Sequence, residues 1–575
     1  LTITVTLYGD SALLVEVDDV PAAHRLAALI EAERSVGDAP AAIDESVVGF
    51  GNVVVHLHPG MEAPEEVGSW LHDLVRRVPD PRPAGGSVKR VVIPVTFDGP
   101  DLGAVATGLG TTTGAVVEAL CGVDLSVAFL GFAPGFPYLI GLPPELASVP
   151  RRATPRPAVA AGAVAVGGGF ASVYPQATPG GWMLLGRTRV ALFDPGRPPY
   201  ALLGPGDTVR FVEDDPTHPG EPAPRGTASE GHPLPGPRPL LANRGPDFAE
   251  VVEPGLLSLI QDGGRRSSAG LGVPRAGPAD PEAMRLANRL VGNPDGAAAV
   301  EVTAAGPTLR FAGQAHLAVV AAAPDAVDVR LDDRPVGSGA VLPVRAGQVV
   351  TIGRIRTGLR AYLAVSGGFA IPLEVGSRSS DMLCGLGPGP LRVGDRIDLG
   401  PPSRPRGRLV QPGLPDGIGR HREVRVLPGP HDLPPIQYQR LLSRRWTVGE
   451  ASNRIGIRLM PEPEPRGEER DHLGTDAGTA PATQGIPSTG MVTGAVQVPP
   501  DGNPIVLMPD HATVGGYPVA CCVIAADLAV LGQLAPGDTL GLTAVDRTAA
   551  RIARERAERS LAERVTGWFP TVAGT

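Results

Sequence analysis

Lysine is almost missing from this chain. Of 51 basic residues only Lys89 is a lysine. A phosphate-binding P-loop needs lysine after its glycines, and no GxxxxGK[ST] is present. Pyridoxal, biotinyl and lipoyl groups are also carried on lysine. The SVKR surroundings of Lys89 suit none of them, so no biotin attachment site is expected. Aromatic residues make up 4% of the 575, too few for base-stacking surfaces. The net charge is −9, which leaves no basic field to hold nucleic acid or an anionic membrane. The cysteines are Cys121, Cys384, Cys521 and Cys522, with no CxxC spacing, and are expected as small buried hydrophobes in a reducing compartment. No apolar run is long enough to span a bilayer, and the first residues lack a charged-then-apolar leader pattern. A cytoplasmic, non-membrane protein is the expectation. Neither HExxH nor GxSxG occurs. His56 and His58 share a strand face without a third ligand, so no metal is expected.

Glycine and proline are abundant instead, at 76 and 64 residues. Apolar runs recur throughout, which reads as many short strands joined by tight turns. A pattern repeats three times. ALLGPGDTVRF (201–211), PLRVGDRIDLG (390–400) and QLAPGDTLGLT (533–543) each lead through Gly-Asp into an alternating strand. Each follows a Gly-Gly-aromatic turn, at Gly180-Gly181-Trp182, Gly367-Gly368-Phe369 and Gly515-Gly516-Tyr517. Three related β units are therefore expected. The division is 1–85, a small α+β domain with two helices; 86–215, a β-barrel; and 216–245, a Pro/Gly-rich linker. Two further barrels follow at 246–400 and 401–545, then a charged helix or tail at 546–575. A long surface loop is expected over 461–490.

Chemistry has three candidate locations. In GFAPGFPYLIGLP (131–143), Phe132, Phe136 and Tyr138 sit on rigid turns that wall either a pocket or a packed barrel corner. Downstream, Arg151, Arg152, Arg156 and Arg187 are candidates to hold a carboxylate or phosphate. In the second half, QDGGR places Gln261, Asp262 and Arg265 at a turn, and Asp280 before Pro281 suits a helix N-cap. The third location joins ASNRIGIRL (451–459) to TGAVQVPPDGNPIVLMPDHATVGGYP (493–518). It carries Ser452, Arg454, Gln497, Asp510, His511, Thr513 and Tyr517. Arg454, Asp510 and His511 are the catalytic candidates, although neighbours on a strand point to opposite faces unless a turn bends them together.

These blocks carry a family resemblance. GFAPGFPYLIGLPPELASVPRRATPRP with TPGGWMLLGRT resembles allophanate hydrolase subunit 1, the family of Kip inhibitors and of the B subunit of 5-oxoprolinase, over about residues 1–215. EPGLLSLIQDGGR, GVPRAGPADPEAMRLANRLVGN, SNRIGIRL and the 494–518 block resemble allophanate hydrolase subunit 2, over about 246–545. That is the family of biotin-dependent carboxyltransferases and of the C subunit of 5-oxoprolinase. The resemblance implies a fusion of two usually separate subunits and a mainly β fold of three cyclophilin-like barrels behind the α+β domain. It also implies one of three functions. The favoured one is an ATP-dependent 5-oxoprolinase component, opening 5-oxoproline to glutamate with the separate LamB/YcsF-type A subunit of 5-oxoprolinase. The others are carboxyl transfer from carboxybiotin, as in urea amidolyase, and regulation of a kinase without catalysis. The substrate-binding residues so implied are Phe136, Tyr138, Arg151, Arg156, Arg187, Gln261, Asp262, Arg265, Asp280, Ser452, Gln497, Thr513 and Tyr517, and a homo-oligomer is compatible with it. The sequence departs from the family at Phe170 and Ala171, where GxQTGIYP has a glutamine and a threonine, and at Cys121, which stands for a histidine.

Overall fold

The computed structural model describes residues 2–58, 64–77, 88–152, 154–214, 245, 247–405, 408–409, 421–462 and 485–566. The chain begins with an antiparallel sheet ordered Ile3–Tyr8, Ala12–Val17, Asn52–Leu57, Ile43–Val48. Helices Val20–Val36 and Pro64–Arg77 accompany it. Asp19 caps the first by accepting the Ala22 N–H at 2.7 Å, and Gly37 ends it in the left-handed region. Alternation explains why strands this apolar are used here. Leu13 and Val15 pack with helix residues Leu26, Ile30 and Leu71, whereas Ala12, Leu14 and Val54 pack with Leu507, Val519 and Cys522 far along the chain. Both faces of this sheet are buried, and each fully buried Leu or Val adds about 1.5–3 kcal/mol.

A seven-stranded sheet follows, ordered Met183–Arg187, Ala163–Gly167, Phe170–Val173, Pro137–Ile140, Leu125–Leu130, Thr208–Glu213, Arg90–Val95. Its two outer strands meet through a Thr96–Arg187 bridge, so the barrel is nearly closed. Helices Leu102–Gly108 and Thr113–Cys121 lay Leu102, Val105, Val116 and Leu120 into its core. Among the described residues no single helix is long and apolar enough to cross a membrane. The last sheet is fully closed in the order His421–Pro428, Val519–Val523, Ala495–Gln497, Ile505–Leu507, Gly456–Pro461, Trp446–Val448, Thr539–Ala544. Counted from the strand that opens each barrel, the first and last have the same strand order. In both, the opening strand pairs in parallel with the Gly-Asp strand that closes it, at Arg90–Val95 with Thr208–Glu213 and at His421–Pro428 with Thr539–Ala544.

The central unit differs. It has two sheets, of six and five strands, and its Gly-Asp strand Arg396–Asp398 pairs antiparallel with Phe248–Glu253. The molecule is therefore mostly β with two closed or nearly closed barrels.

Helix Arg547–Glu563 is a docking helix. Leu561 enters the central core, Ala550 and Ala553 pack on Leu427 and Ile524, and Arg547 donates to the Gly9 carbonyl at 3.2 Å. The 216–245 linker (Gly245 apart) and the middle of the 461–490 loop lie outside the described residues.

Candidate functional site

The glycine corner of the first barrel is the starting point. The Gly135 N–H donates to the Leu271 carbonyl at 2.8 Å, which ties this corner to the second half. Glycine is required by the close approach: a Cβ on Gly131 would collide with Val514, and one on Gly272 with the Ala133 carbonyl. Residues 131–136, 271–273 and 514 thus meet at one junction. Behind the corner lies an aromatic cluster. Phe136 contacts Phe132, Tyr138, Tyr174 and Trp182 at centroid distances of 5.1–5.6 Å. Phe170 adds its ring against Phe129, Tyr138 and Trp182. Phe136 is buried, and burial pushes the Tyr138 hydroxyl up to about 12. The packed-corner alternative describes this region, and Phe170 fills space with an apolar ring.

The arginines of the first half lie around this cluster. The Arg151 guanidinium stands 5.5 Å from the Trp182 ring centroid. Arg156 pairs with Asp101 at 2.7 Å, joined by Arg152 at 3.4 Å, and the exposed Arg187 pairs with Asp98 at 2.9 Å.

On the second half a buried charge network lies between the central sheets and the last barrel. The Arg454 guanidinium donates to both Asp510 oxygens at 2.8 and 2.9 Å, to Glu301 at 2.6 Å and to the Gly277 carbonyl at 2.6 Å. Burial opposes its charge, but Asp510 and Glu301 outweigh that and drive its pKa up. Burial likewise opposes the Glu301 charge, and Arg454 with Arg360 hold its pKa below the usual value. Glu301 also accepts from the Ala279 N–H at 2.9 Å and the Tyr362 hydroxyl at 2.7 Å. Asp280 caps helix Pro281–Leu290 by accepting from Ala283 at 2.9 Å, and it accepts from Gln533 at 2.7 Å. Burial pushes its carboxyl up to about 7. The capping role expected for Asp280 is thus filled, and its carboxylate faces protein.

The QDGGR turn is also internally tied. Asp262 accepts from Ser377, Ser379 and the backbone of Gly264 and Arg378, and Gln261 bonds Ser380 and Gly277. Arg265 is fully buried. It donates to the Ser379 carbonyl at 2.5 Å and leaves Nε and Nη1 without partners. Asp381 adjoins it, and burial followed by the nearby Asp510 charge pushes its carboxyl up. One Asp381 oxygen and the Ser380 and Thr513 hydroxyls are also buried and unpaired. The remaining candidates scatter. Ser452 accepts from the Arg458 N–H, Gln497 contacts the Met491 sulfur at 3.2 Å, and Tyr517 stands out in solvent.

His511 lies buried on the turn after Asp510, and its Nδ1 bonds the Ala512 carbonyl at 2.8 Å. Asp510 is committed to Arg454, so the adjacent pair forms no relay. Burial first, and then the Arg275 charge, lower the His56 imidazole to about 3. Asp44 nearby pairs with Arg275 at 2.9 Å and Arg266 at 3.5 Å, and Glu45 accepts the Ala269 N–H at 2.9 Å. Nothing in a single strand announces a partner more than two hundred residues away. Among the described residues no group of three or more ligating side chains could hold a metal.

Comparison with known proteins follows the same division. The model for carboxyltransferase domain subdomains C and D matches residues 3–203, and that for subdomains A and B matches 271–544. The second half is 34% identical to the C subunit of 5-oxoprolinase from Escherichia coli K12, over 54% of this chain and 95% of that protein. The first half is 41% identical to the B subunit of 5-oxoprolinase from Escherichia coli O157:H7, over 36% of this chain and 94% of that protein. The crystal structure of TTHA0988 superposes with a TM-score of 0.76 at 32% identity, covering 92% of this chain and 99% of that one. Both halves thus align with nearly whole single subunits. The chain belongs to the carboxyltransferase-domain family, uniting relatives of the B and C subunits of 5-oxoprolinase in one polypeptide.

Proposed function

We propose that this chain is the fused B-plus-C component of a 5-oxoprolinase-type hydrolase. In this reading it works in the cytoplasm and opens 5-oxoproline to glutamate, with ATP as co-substrate and a separate LamB/YcsF-type A subunit. One observation carries it. The glycine corner of the first half and the 508–514 turn of the second, each a family motif, meet at one junction. ATP would activate the amide oxygen as a phosphate, and water would attack that carbon. The buried Arg265, with two unmatched N–H groups, suits charge developing on the substrate. The junction's other arginines are already engaged, Arg266 and Arg275 by Asp44 and Arg454 by Asp510 and Glu301, so they do not fit a triphosphate.

We read the central sheets as an opened relative of the flanking barrels. The recurrence of Gly367-Gly368-Phe369 ahead of strand Arg396–Asp398 supports that three-unit, cyclophilin-like reading. The second functional reading, carboxyl transfer to an amide, is favoured by the carboxyltransferase description of both matching models. The deciding experiment combines the purified chain with the partner subunit, ATP and 5-oxoproline. Glutamate release dependent on all three supports the hydrolase. Failure at every stoichiometry, together with transfer of carboxyl from carboxybiotin, supports the alternative.

A further inference from the structure

We propose that His58 is a proton-operated latch between the two halves. Neutral, it holds Arg266, and with it the 265–276 loop, against the N-terminal sheet; protonated, it releases Arg266 and takes over Asp44. The latch concerns how the halves dock and does not depend on which substrate the junction serves.

The 265–276 loop is the seam. Its ends are closed by the Arg265 N–H on the Arg275 carbonyl at 2.6 Å. Its middle touches both domains of the first half. The Ala269 N–H donates to Glu45 at 2.9 Å, and the Leu271 carbonyl accepts from the Gly135 N–H at 2.8 Å. The loop's arginines are drawn to the sheet by Asp44, which is buried and pairs with Arg275 at 2.9 Å and Arg266 at 3.5 Å. His58 follows strand Asn52–Leu57, and its backbone N–H is fixed on the Ala42 carbonyl at 2.7 Å. Its ring Nδ1 lies 2.6 Å from Arg266 Nη1. A guanidinium only donates, so Nδ1 accepts and the single ring proton sits on Nε2. Nε2 faces Asp44 at 3.6 Å, too far for a good hydrogen bond. A second proton could go only on Nδ1, where one N–H would then oppose another, so Arg266 must leave. The charged ring can then close on Asp44. Among the described residues the charged groups around His58 are Asp44 from strand Ile43–Val48, Arg34 from helix Val20–Val36, and Arg266 and Arg275 from the loop. Arg34 also donates to the Asp44 backbone carbonyl at 2.6 Å. Burial, opposed by Asp44 and joined by the three arginines, holds His58 below its ordinary value of 6.5. The native state therefore binds fewer protons here than the unfolded chain, so the latch is shut at neutral pH and its contribution is lost as pH falls below 6.5. The side chains of His58 and Arg266 are 32% and 45% exposed, which lets a proton in and gives the freed guanidinium water to enter.

Nitrogen-resolved imidazole spectra of the full chain read the latch directly. Native His58 is expected as the neutral Nε2–H tautomer at pH 7.5, titrating below the ordinary imidazole value. Arg266→Met removes a donor and a cation and should raise that titration point. Backbone amide exchange reads the consequence for docking. After correction for the intrinsic effect of pH, exchange at Ala269 and Gly135 should speed up about two- to fivefold between pH 7.5 and pH 5.5, the factor a partly exposed polar contact supplies. In His58→Gln, whose side-chain oxygen still accepts from Arg266 but takes no proton, that acceleration should vanish. In His58→Arg, charged throughout, exchange should be fast at both pH values. Should the arginine variant fail to fold, the Gln and Met variants, both at partly exposed positions, carry the test. A native His58 found as the Nδ1–H tautomer, or already charged at pH 7.5, overturns the proposal. So does an acid acceleration that persists unchanged in His58→Gln, since the titrating group would then be Glu45, the acceptor of the Ala269 N–H.

Discussion

The first and last barrels share one strand order and one parallel closure, yet they bury opposite chemistry at their corners. The corner of the first is filled with Phe136, Tyr138, Phe170 and Trp182. Its arginines remain at the edge, each against a nearby carboxylate or ring. The last barrel turns Arg454 and Asp510 inward, where Glu301 of the central sheets completes the pairing. The difference teaches that a barrel topology sets where the corners fall but leaves open what they hold. An apolar corner packs by area and tolerates change in shape. A buried ionic corner is held by directed bonds and fails when one member is lost.

The comparison can be broken most forcefully at Arg454. Arg454→Met strands two buried carboxylates and should cost about 3–5 kcal/mol in denaturant unfolding. Adding Glu301→Gln and Asp510→Asn to that variant should recover part of the loss. A loss below about 1 kcal/mol for the single variant would mean the network is not the clamp described. In the aromatic corner, Phe136→Leu keeps most of the apolar volume and should cost about 1 kcal/mol by the same measurement. Asp280 supplies a sign-dependent test. Its folded pKa, about 7, lies above the unfolded value, so the native state binds more protons and stability falls as pH rises from 4 to 7. Asp280→Asn keeps a capping oxygen and removes this dependence, so its stability relative to the native chain should improve over that window. An unchanged difference between pH 4 and pH 8 would remove the burial argument. The smallest effect is expected for Arg156→Ala. Arg152 also reaches Asp101, and the pair is partly exposed, so the cost should be at most about 0.5 kcal/mol.

Much of the architecture was legible in the sequence. Alternation at 3–17, the helical period at 20–36, the cap at Asp280 and the three Gly-Asp strands are local patterns, and each is present as an element. The central unit was not legible in the same way. Its Gly-Asp strand resembles the other two but pairs antiparallel, because strand partners are chosen by what lies across the sheet. The candidate site was legible in part. Arg454 and Asp510, both singled out in the sequence as catalytic candidates, are bonded to each other, but the sequence did not anticipate Glu301, which lies 153 positions from Arg454. His56 and His58 were noted as a pair lacking a third partner, and Arg266, which meets His58 at 2.6 Å from 208 positions away, was not foreseen beside them.

By itself the sequence determined the strand-and-turn habit, the helices and their caps, and the family of each half, since these depend on residues close along the chain. Only the tertiary structure decided which polar side chains are clamps and which keep a free lone pair. A carboxylate or imidazole takes its charge and partners from whatever folds against it, and here those partners come from the other half of the molecule or from a distant strand.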